Sequence, residues 1–274
     1  MKAILVQLNY HIGNFEANIA RVGHEVKKAE EAGAELVIFS ELSLTGYPPL
    51  DLLEYSSFIE SSNKAIQKVA SFSQKAGILI GAPTLNPNPN GKKLYNSVYF
   101  LYEGKVRKVF HKSLLPTYDI FDEYRHFEPN TEFSLLEFRG MKIAITICED
   151  MWFDQPVESA FSNNRLYTHN PLEKLANLHP DLVINLAASP FSYLRQQRKT
   201  EIFTGNAKKF NLPILYVNQV GAQTELIFEG GSLAVDRKGE IVGSLKLFEE
   251  DRLMVDLDSL CSGGMKSSAF RVPG

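Results

Sequence analysis

The stretch AILVQLNYHIGNFEANIARVGHEVKKAEEAGAELVIFSE, residues 3–41, decides the fold. Ala3 to Leu8 is a compact apolar run, and Asn14 stands where a cap precedes a helix predicted from Phe15 to about Ala32. Within that helix Ile19, Val22, Val26 and Ala29 recur at spacings of three and four, an apolar stripe that should pack on a sheet. Glu25, Lys27, Lys28, Glu30 and Glu31 are read onto the remaining surface. Gly33 ends the helix, and Glu35 to Ser40 is apolar on both faces, as a strand covered from both sides must be. The unit closes on Glu41, a carboxylate that a strand tip leaves accessible.

The same unit recurs downstream: a helix from about Phe58 to Lys75, then Gly77, then the strand-like Ile78 to Pro83. Tyr95 to Tyr102 and Lys105 to Phe110 are rich in β-formers, and Glu103 and Gly104 join them as a hairpin. Lys142 to Ile147 is another buried strand, with Cys148 immediately beyond it. Leu182 to Ala187, a helix from about Tyr193 to Phe210, and Ile214 to Asn218 continue the alternation. Strands are expected again at Ser232 to Asp236 and Arg252 to Asp256. These are too many strands for one open sheet. Two mixed sheets packed face to face, with helices outside, would bury the strands and cover the helical stripes.

A chain of 274 residues that is 44% hydrophobic can bury a large core without disulfide or metal staples. No linker splits it, which favours one domain; the polar stretch Asn163 to Pro171 reads as a surface insertion. A net charge of -3 and a pI near 6.1 offer no basic stripe for a phosphate backbone, so a small-molecule substrate is expected rather than nucleic acid. Cys148 and Cys261 fit neither a disulfide framework nor paired metal-ligand spacing, and the six histidines form no metal-binding pattern. No apolar run is long enough to span a bilayer and the N-terminus has no signal-peptide pattern. A cytoplasmic protein without metal or membrane attachment is the expectation.

Three residues at strand tips can do chemistry together. A cysteine thiol, with a reference pKa of about 8.5, is mostly protonated at neutral pH and needs a base or a neighbouring cation to become a nucleophile. Glu41 offers the base and Lys112 the cation. Their meeting depends on strand ends of one architecture clustering at a common edge.

The segments FSELSLTGYPP (residues 39–49), HKSLLPTYDIFDEYRHFEP (111–129) and CEDMWF (148–153), in that order, resemble the Glu, Lys and Cys motifs of the nitrilase superfamily of carbon-nitrogen hydrolases. Within it, the similarity is closest to the glutaminase domain of glutamine-dependent NAD synthetases. NLAASPFSYLRQQRK (185–199) and VNQVGAQTELIFEGGS (217–232) resemble the same branch. The resemblance covers residues 1–258 as one nitrilase-like domain and leaves 259–274 as a tail. It implies an α/β fold of the four-layer αββα sandwich type. It also implies that Glu41 takes the thiol proton, that Cys148 attacks the glutamine amide to release ammonia, and that Lys112, with the N–H following Cys148, holds the oxyanion. Glu123 would be a supporting acid. Tyr118 and Trp152 would line the glutamine pocket, Glu149 would meet the substrate ammonium, and Ser189 and Arg195 its carboxylate.

Members of that branch carry a second, ATP- and magnesium-dependent synthetase domain that amidates nicotinic acid adenine dinucleotide. That domain is expected to be absent here. SGGMKSS, residues 262–268, only faintly resembles the synthetase pyrophosphate loop, with Lys266 in place of an aspartate, and Thr224 stands where relatives often have aspartate. The resemblance therefore implies a glutaminase that needs no cofactor of its own, acts with an NAD synthetase domain or subunit, assembles as a homo-oligomer and has low activity in isolation. A stand-alone ω-amidase or carbamoylase, and a non-catalytic scaffold or truncated fragment, are the competing expectations.

Overall fold

The computed structural model describes residues 1–154, 166–193, 195–263 and 269–271, without the side chains of residues 195, 196, 270 and 271. The chain begins with β1 (Lys2–Gln7), α1 (Phe15–Glu31), β2 (Leu36–Ile38), α2 (Ser56–Ala70), β3 (Gly77–Leu85), β4 (Leu94–Tyr102) and β5 (Lys105–His111). The short α3 (Glu123–His126) leads to β6 (Leu136–Phe138), β7 (Met141–Ile147), α4 (Pro171–Ala176), β8 (Leu182–Leu186), α5 (Arg195–Phe210) and β9 (Ile214–Val217). It ends with β10 (Val220–Gln223), β11 (Leu226–Glu229), β12 (Leu233–Val235), β13 (Ile241–Ser244), β14 (Asp251–Asp256), α6 (Leu257–Ser262) and β15 (Ala269–Arg271).

Two large mixed sheets result, ordered β15-β14-β1-β2-β3-β4-β5 and β13-β12-β9-β8-β7-β6, with β10 and β11 as a separate hairpin. Alternate residues of the first sheet sort into two cores. Leu5, Ile38, Leu79 and Phe100 join Ile143, Ile145 and Leu215 of the second sheet, whereas Ile4, Val37, Ile78 and Ile80 join Val22, Val26, Ile66 and Val69 of α1 and α2. α4 and α5 pack on the second sheet. This is the four-layer αββα sandwich, and the period-two alternation of apolar side chains is its cause. Each fully buried aliphatic residue contributes about 1.5–3 kcal/mol of transfer free energy.

Local chemistry sets the ends of the elements. Asn14 accepts from the Ala17 N–H at the start of α1, and Asn170 accepts from Leu172 and Glu173 at the start of α4. Glu103 and Gly104 both adopt positive φ, 51° and 72°, the twist that a two-residue hairpin turn requires. α2 stops at Ala70, short of the predicted Lys75, because Ser71 and Ser73 turn their hydroxyls back on Lys68 O and Ala70 O.

Two expectations are corrected. Glu25 is buried rather than solvated: its carboxylate takes both the Nε and an Nη of Arg252 on β14, tying α1 to the sheet it covers. The segment after residue 258 is not wholly a tail, because α6 includes residues 259–262 and β15 pairs antiparallel with β14. Residues 264–268 of the glycine-containing segment lie outside the described residues, as do residues 163–165 of the insertion. No helix among the described residues is long and apolar enough to cross a membrane.

Removing the Glu25 carboxylate leaves Arg252 without its bidentate acceptor. Glu25→Ala is expected to lower stability by about 3 kcal/mol, seen as a shifted urea midpoint, while Ala at the exposed Glu31 changes it by less than about 0.5 kcal/mol.

Candidate active site

Topology brings the strand tips together. β1, β2 and β3 run parallel, and β5, two antiparallel steps from β3, runs the same way; β7, β8 and β9 are parallel in the other sheet. Glu41 follows β2, Lys112 follows β5, Cys148 follows β7 and Ala188 follows β8. The two sheet edges meet where the Ala188 N–H donates to Glu41 Oε2 at 2.9 Å.

The turn carrying Glu41 is pinned to β3 by Phe39 N–H to Leu79 O, Gly81 N–H to Ser40 O and Leu44 N–H to Gly81 O. A methyl group on Gly81 would come within 2.2 Å of the Leu42 nitrogen, so this approach of two backbones requires glycine. Leu42 then turns the chain with φ of 45°. Cys148 opens a 3₁₀ turn, Cys148–Met151, and holds φ at 42°, a strained conformation for a side-chain-bearing residue. Asp150 fixes that turn: its Oδ2 accepts from Ile147 N–H at 2.9 Å and its Oδ1 from Ser113 N–H and Leu114 N–H at 3.0 and 2.8 Å. One carboxylate thus locks the cysteine turn to the lysine loop.

Glu41, expected to be accessible, is 0% exposed, and so is Lys112. Loops beyond the strand tips roof the edge, so burial has to be compensated by partners. Lys112 Nζ donates to Glu41 Oε1 at 2.7 Å and to Glu123 Oε1 at 2.9 Å. Asn96 Nδ2 donates to Glu41 Oε1 at 2.7 Å, and the Tyr47 hydroxyl donates to Glu123 Oε1 at 2.9 Å. Burial alone would push the Lys112 ammonium down, but Glu123 and Glu41 outweigh it and hold its pKa well above the ordinary lysine range. Burial raises the Glu123 carboxyl, opposed by Lys112. The Cys148 thiol is raised well above its usual range by burial first and then by the Glu41 charge, with Lys112 acting in the opposite direction. The resting sulfur is therefore a protonated thiol inside the field of both partners, and it requires a base to react.

Beside the cysteine, Glu149 is buried and its Oε1 accepts from the hydroxyls of Tyr118 and Tyr167, each at 2.9 Å. Burial pushes Glu149 up to about 7 against those two hydrogen bonds. Tyr118 is half-buried and stacks edge-on against Phe121. Trp152 is half-buried against the inter-sheet core. Ser189 is buried next to Ala188, its N–H donating to Asn218 Oδ1 at 2.9 Å while Asn218 Nδ2 donates to Ser189 O and Gly230 O. Arg195 opens α5, and its side chain lies outside the described residues. Thr224 sits exposed at the turn between β10 and β11.

Glu41, Lys112, Glu123 and Cys148 thus form one electrostatic cluster, with Glu149 and Tyr118 at its side. Sequence reasoning missed Tyr47, Asn96, Asp150, Tyr167 and Asn218. Asn96 did carry a signal, being a buried amide inside a strand of aromatic and branched residues where asparagine is disfavoured. Tyr167 carried none. Among the described residues no group of His, Cys, Asp and Glu side chains is arranged to hold a metal ion.

Comparison with known proteins follows the same lines. A family model described as carbon-nitrogen hydrolase matches residues 2–263. The glutamine-dependent NAD(+) synthetase of a Synechocystis strain is 40% identical over 265 residues, covering 94% of this chain and 46% of that protein. The chain spans about half the length of the curated relatives it matches. A glutamine-dependent NAD+ synthetase from Acinetobacter baumannii superposes with a TM-score of 0.83 at 30% identity, over 100% of this chain and 47% of that one. An amidase from Nesterenkonia sp. AN1, in a structure where acrylamide has undergone Michael addition at the active site cysteine, gives a TM-score of 0.77 at 20% identity over 93% and 92% of the two chains. At that identity the likeness is one of fold.

The raised carboxyls make stability pH-dependent. Glu149, lifted from 4.5 to about 7, holds a proton that the unfolded chain releases, so its contribution is full below pH 4.5 and is lost as pH rises through 7. Asp150, lifted from 3.8 to about 6, acts in the same direction. Glu149→Gln is expected to gain stability over the unsubstituted chain between pH 5 and pH 8, by up to about 3 kcal/mol, measured by urea unfolding at both pH values.

Proposed function

The chain belongs to the carbon-nitrogen hydrolase family, and on that premise we propose that it hydrolyses the side-chain amide of free glutamine, with Cys148 as nucleophile. The observation that carries this reading is the buried Lys112 ammonium shared between Glu41 and Glu123 beside the Cys148 thiol. Glu41 accepts the thiol proton as sulfur attacks the amide carbon, forming the C–S bond and a tetrahedral oxyanion. Lys112 and the N–H following Cys148 stabilise that oxygen. Glu41 returns the proton to the amide nitrogen, the C–N bond breaks and ammonia leaves. Water then attacks the thioester carbon as Glu41 takes its proton, the C–S bond breaks, Glu41 returns the proton to the sulfur, and glutamate departs with the thiol restored. Glu123 keeps Lys112 charged and in place.

Selection of a free amino acid falls to Glu149, which takes the ammonium, and to Ser189 and Arg195 at the carboxylate, with Tyr118 and Trp152 as walls. The wider role is ammonia supply to an NAD synthetase domain or subunit, which amidates nicotinic acid adenine dinucleotide with ATP and magnesium. The glutaminase step itself uses no cofactor. The chain matches half of relatives named for glutamine-dependent NAD synthesis, which supports this reading. Cytoplasmic location and homo-oligomeric assembly belong to it as well. A scaffold would have no use for a buried lysine held between two carboxylates, since that arrangement is costly to fold.

The test is turnover of glutamine against a panel of small amides, together with mass spectrometry after incubation with a glutamine-analogue electrophile. A covalent adduct on Cys148, absent in Cys148→Ala, and preference for glutamine are expected; cleavage of another amide with glutamine ignored would overturn the substrate, and no adduct would overturn catalysis. Lys112→Ala is expected to lower kcat by at least about a hundredfold. Because a substrate cation favours ionised Glu149, KM for glutamine should fall as pH rises through about 7.

A further inference from the structure

Tyr167 belongs to neither a catalytic strand tip nor any of the motif segments that carry the resemblance, yet its hydroxyl reaches the same oxygen of Glu149 that Tyr118 occupies. Two phenols on one carboxylate oxygen are unusual in their demand on the loops. Tyr118 comes from the segment after β5, and Tyr167 from the residues just before α4, where Asn170 is buried and caps the helix through Leu172 and Glu173. That cap, three residues on, anchors the backbone that delivers Tyr167. Burial and the neighbouring Glu149 charge both raise the Tyr167 hydroxyl, so it remains a donor throughout the working pH range.

A carboxylate in a buried wall can rotate about its terminal bond, and a freely rotating acceptor binds an ammonium less well than a fixed one. Two donors converging on Oε1 remove that freedom, and they hydrogen-bond the ionised form, opposing the burial that favours the neutral acid. We propose that Tyr167 is a specificity-determining positioning residue: with Tyr118 it holds Glu149 by Oε1 and turns Oε2 toward the α-ammonium of the substrate, so that this tyrosine just before α4 favours amides bearing a free amino group. This rests on the reading of Glu149 as the ammonium acceptor.

Tyr167→Phe keeps the ring and removes only the hydroxyl. Its effect is measured with glutamine and with 4-carbamoylbutanoate, the same ω-amide without the amino group. The expected result is a KM for glutamine raised about tenfold, a kcat within about threefold, and an unchanged KM for 4-carbamoylbutanoate. In addition, the inflection of KM for glutamine near pH 7 should move upward, because ionised Glu149 has lost a donor. A merely structural tyrosine would alter both substrates alike and leave the inflection in place, and that result overturns the proposal. Glu149→Gln separates the two levels. If it abolishes discrimination between the substrates while Tyr167→Phe leaves discrimination intact, the proposal falls and the reading of Glu149 stands. If Glu149→Gln also preserves discrimination, the reading of Glu149 falls, and the proposal with it.

Discussion

The ammonium of Lys112, wholly removed from water, is the constraint on which the rest of the structure depends. An isolated buried cation costs several kcal/mol, and the protein meets that cost by setting Glu41 and Glu123 on either side of it. Those carboxylates are themselves buried, and so recruit further donors: Asn96 and the Ala188 N–H for Glu41, Tyr47 for Glu123. The cluster draws from both sheets and from the loops between them. Each charged group thus has more than one partner, so the arrangement is held in place by several contacts at once.

Rigidity of this kind suits acyl transfer, where the oxyanion exists briefly and a cation already in place needs no reorganisation. The strain at Cys148 belongs to the same design. A positive φ sets Cys148 as the first residue of a 3₁₀ turn, and Asp150 holds that turn by accepting from both the cysteine strand and the lysine loop. Electrostatics and backbone geometry are thus one device, linked through residues adjacent in sequence, Cys148, Glu149 and Asp150, with three different tasks.

The layers have a comparable logic. Paired neighbours such as Ile4 and Leu5, or Ile78 and Leu79, divide between the helix-covered face and the inter-sheet face, so each strand contributes to both cores. The sheets need like-directed strands for their carboxyl ends to share an edge, and the antiparallel excursion through β4 returns β5, and Lys112 with it, to that edge. Gly81 then lets the Glu41 turn lie against β3 at a distance that no side chain would permit.

By itself the sequence determined the layers and most element positions, because apolar periodicity is a local property, whereas the acid, amine and thiol entered only as what the motif resemblance implies. It misjudged Glu25 and the exposure of Glu41, since a charged residue reads as solvated until its partner, Arg252 or Lys112, is brought from more than seventy residues away. Only the tertiary structure decided that Asn96, Tyr47, Asp150 and Tyr167 belong to the site. Their contacts cross between elements remote in sequence, and burial and hydrogen-bond partnership are properties of a place in the fold rather than of a spacing along the chain.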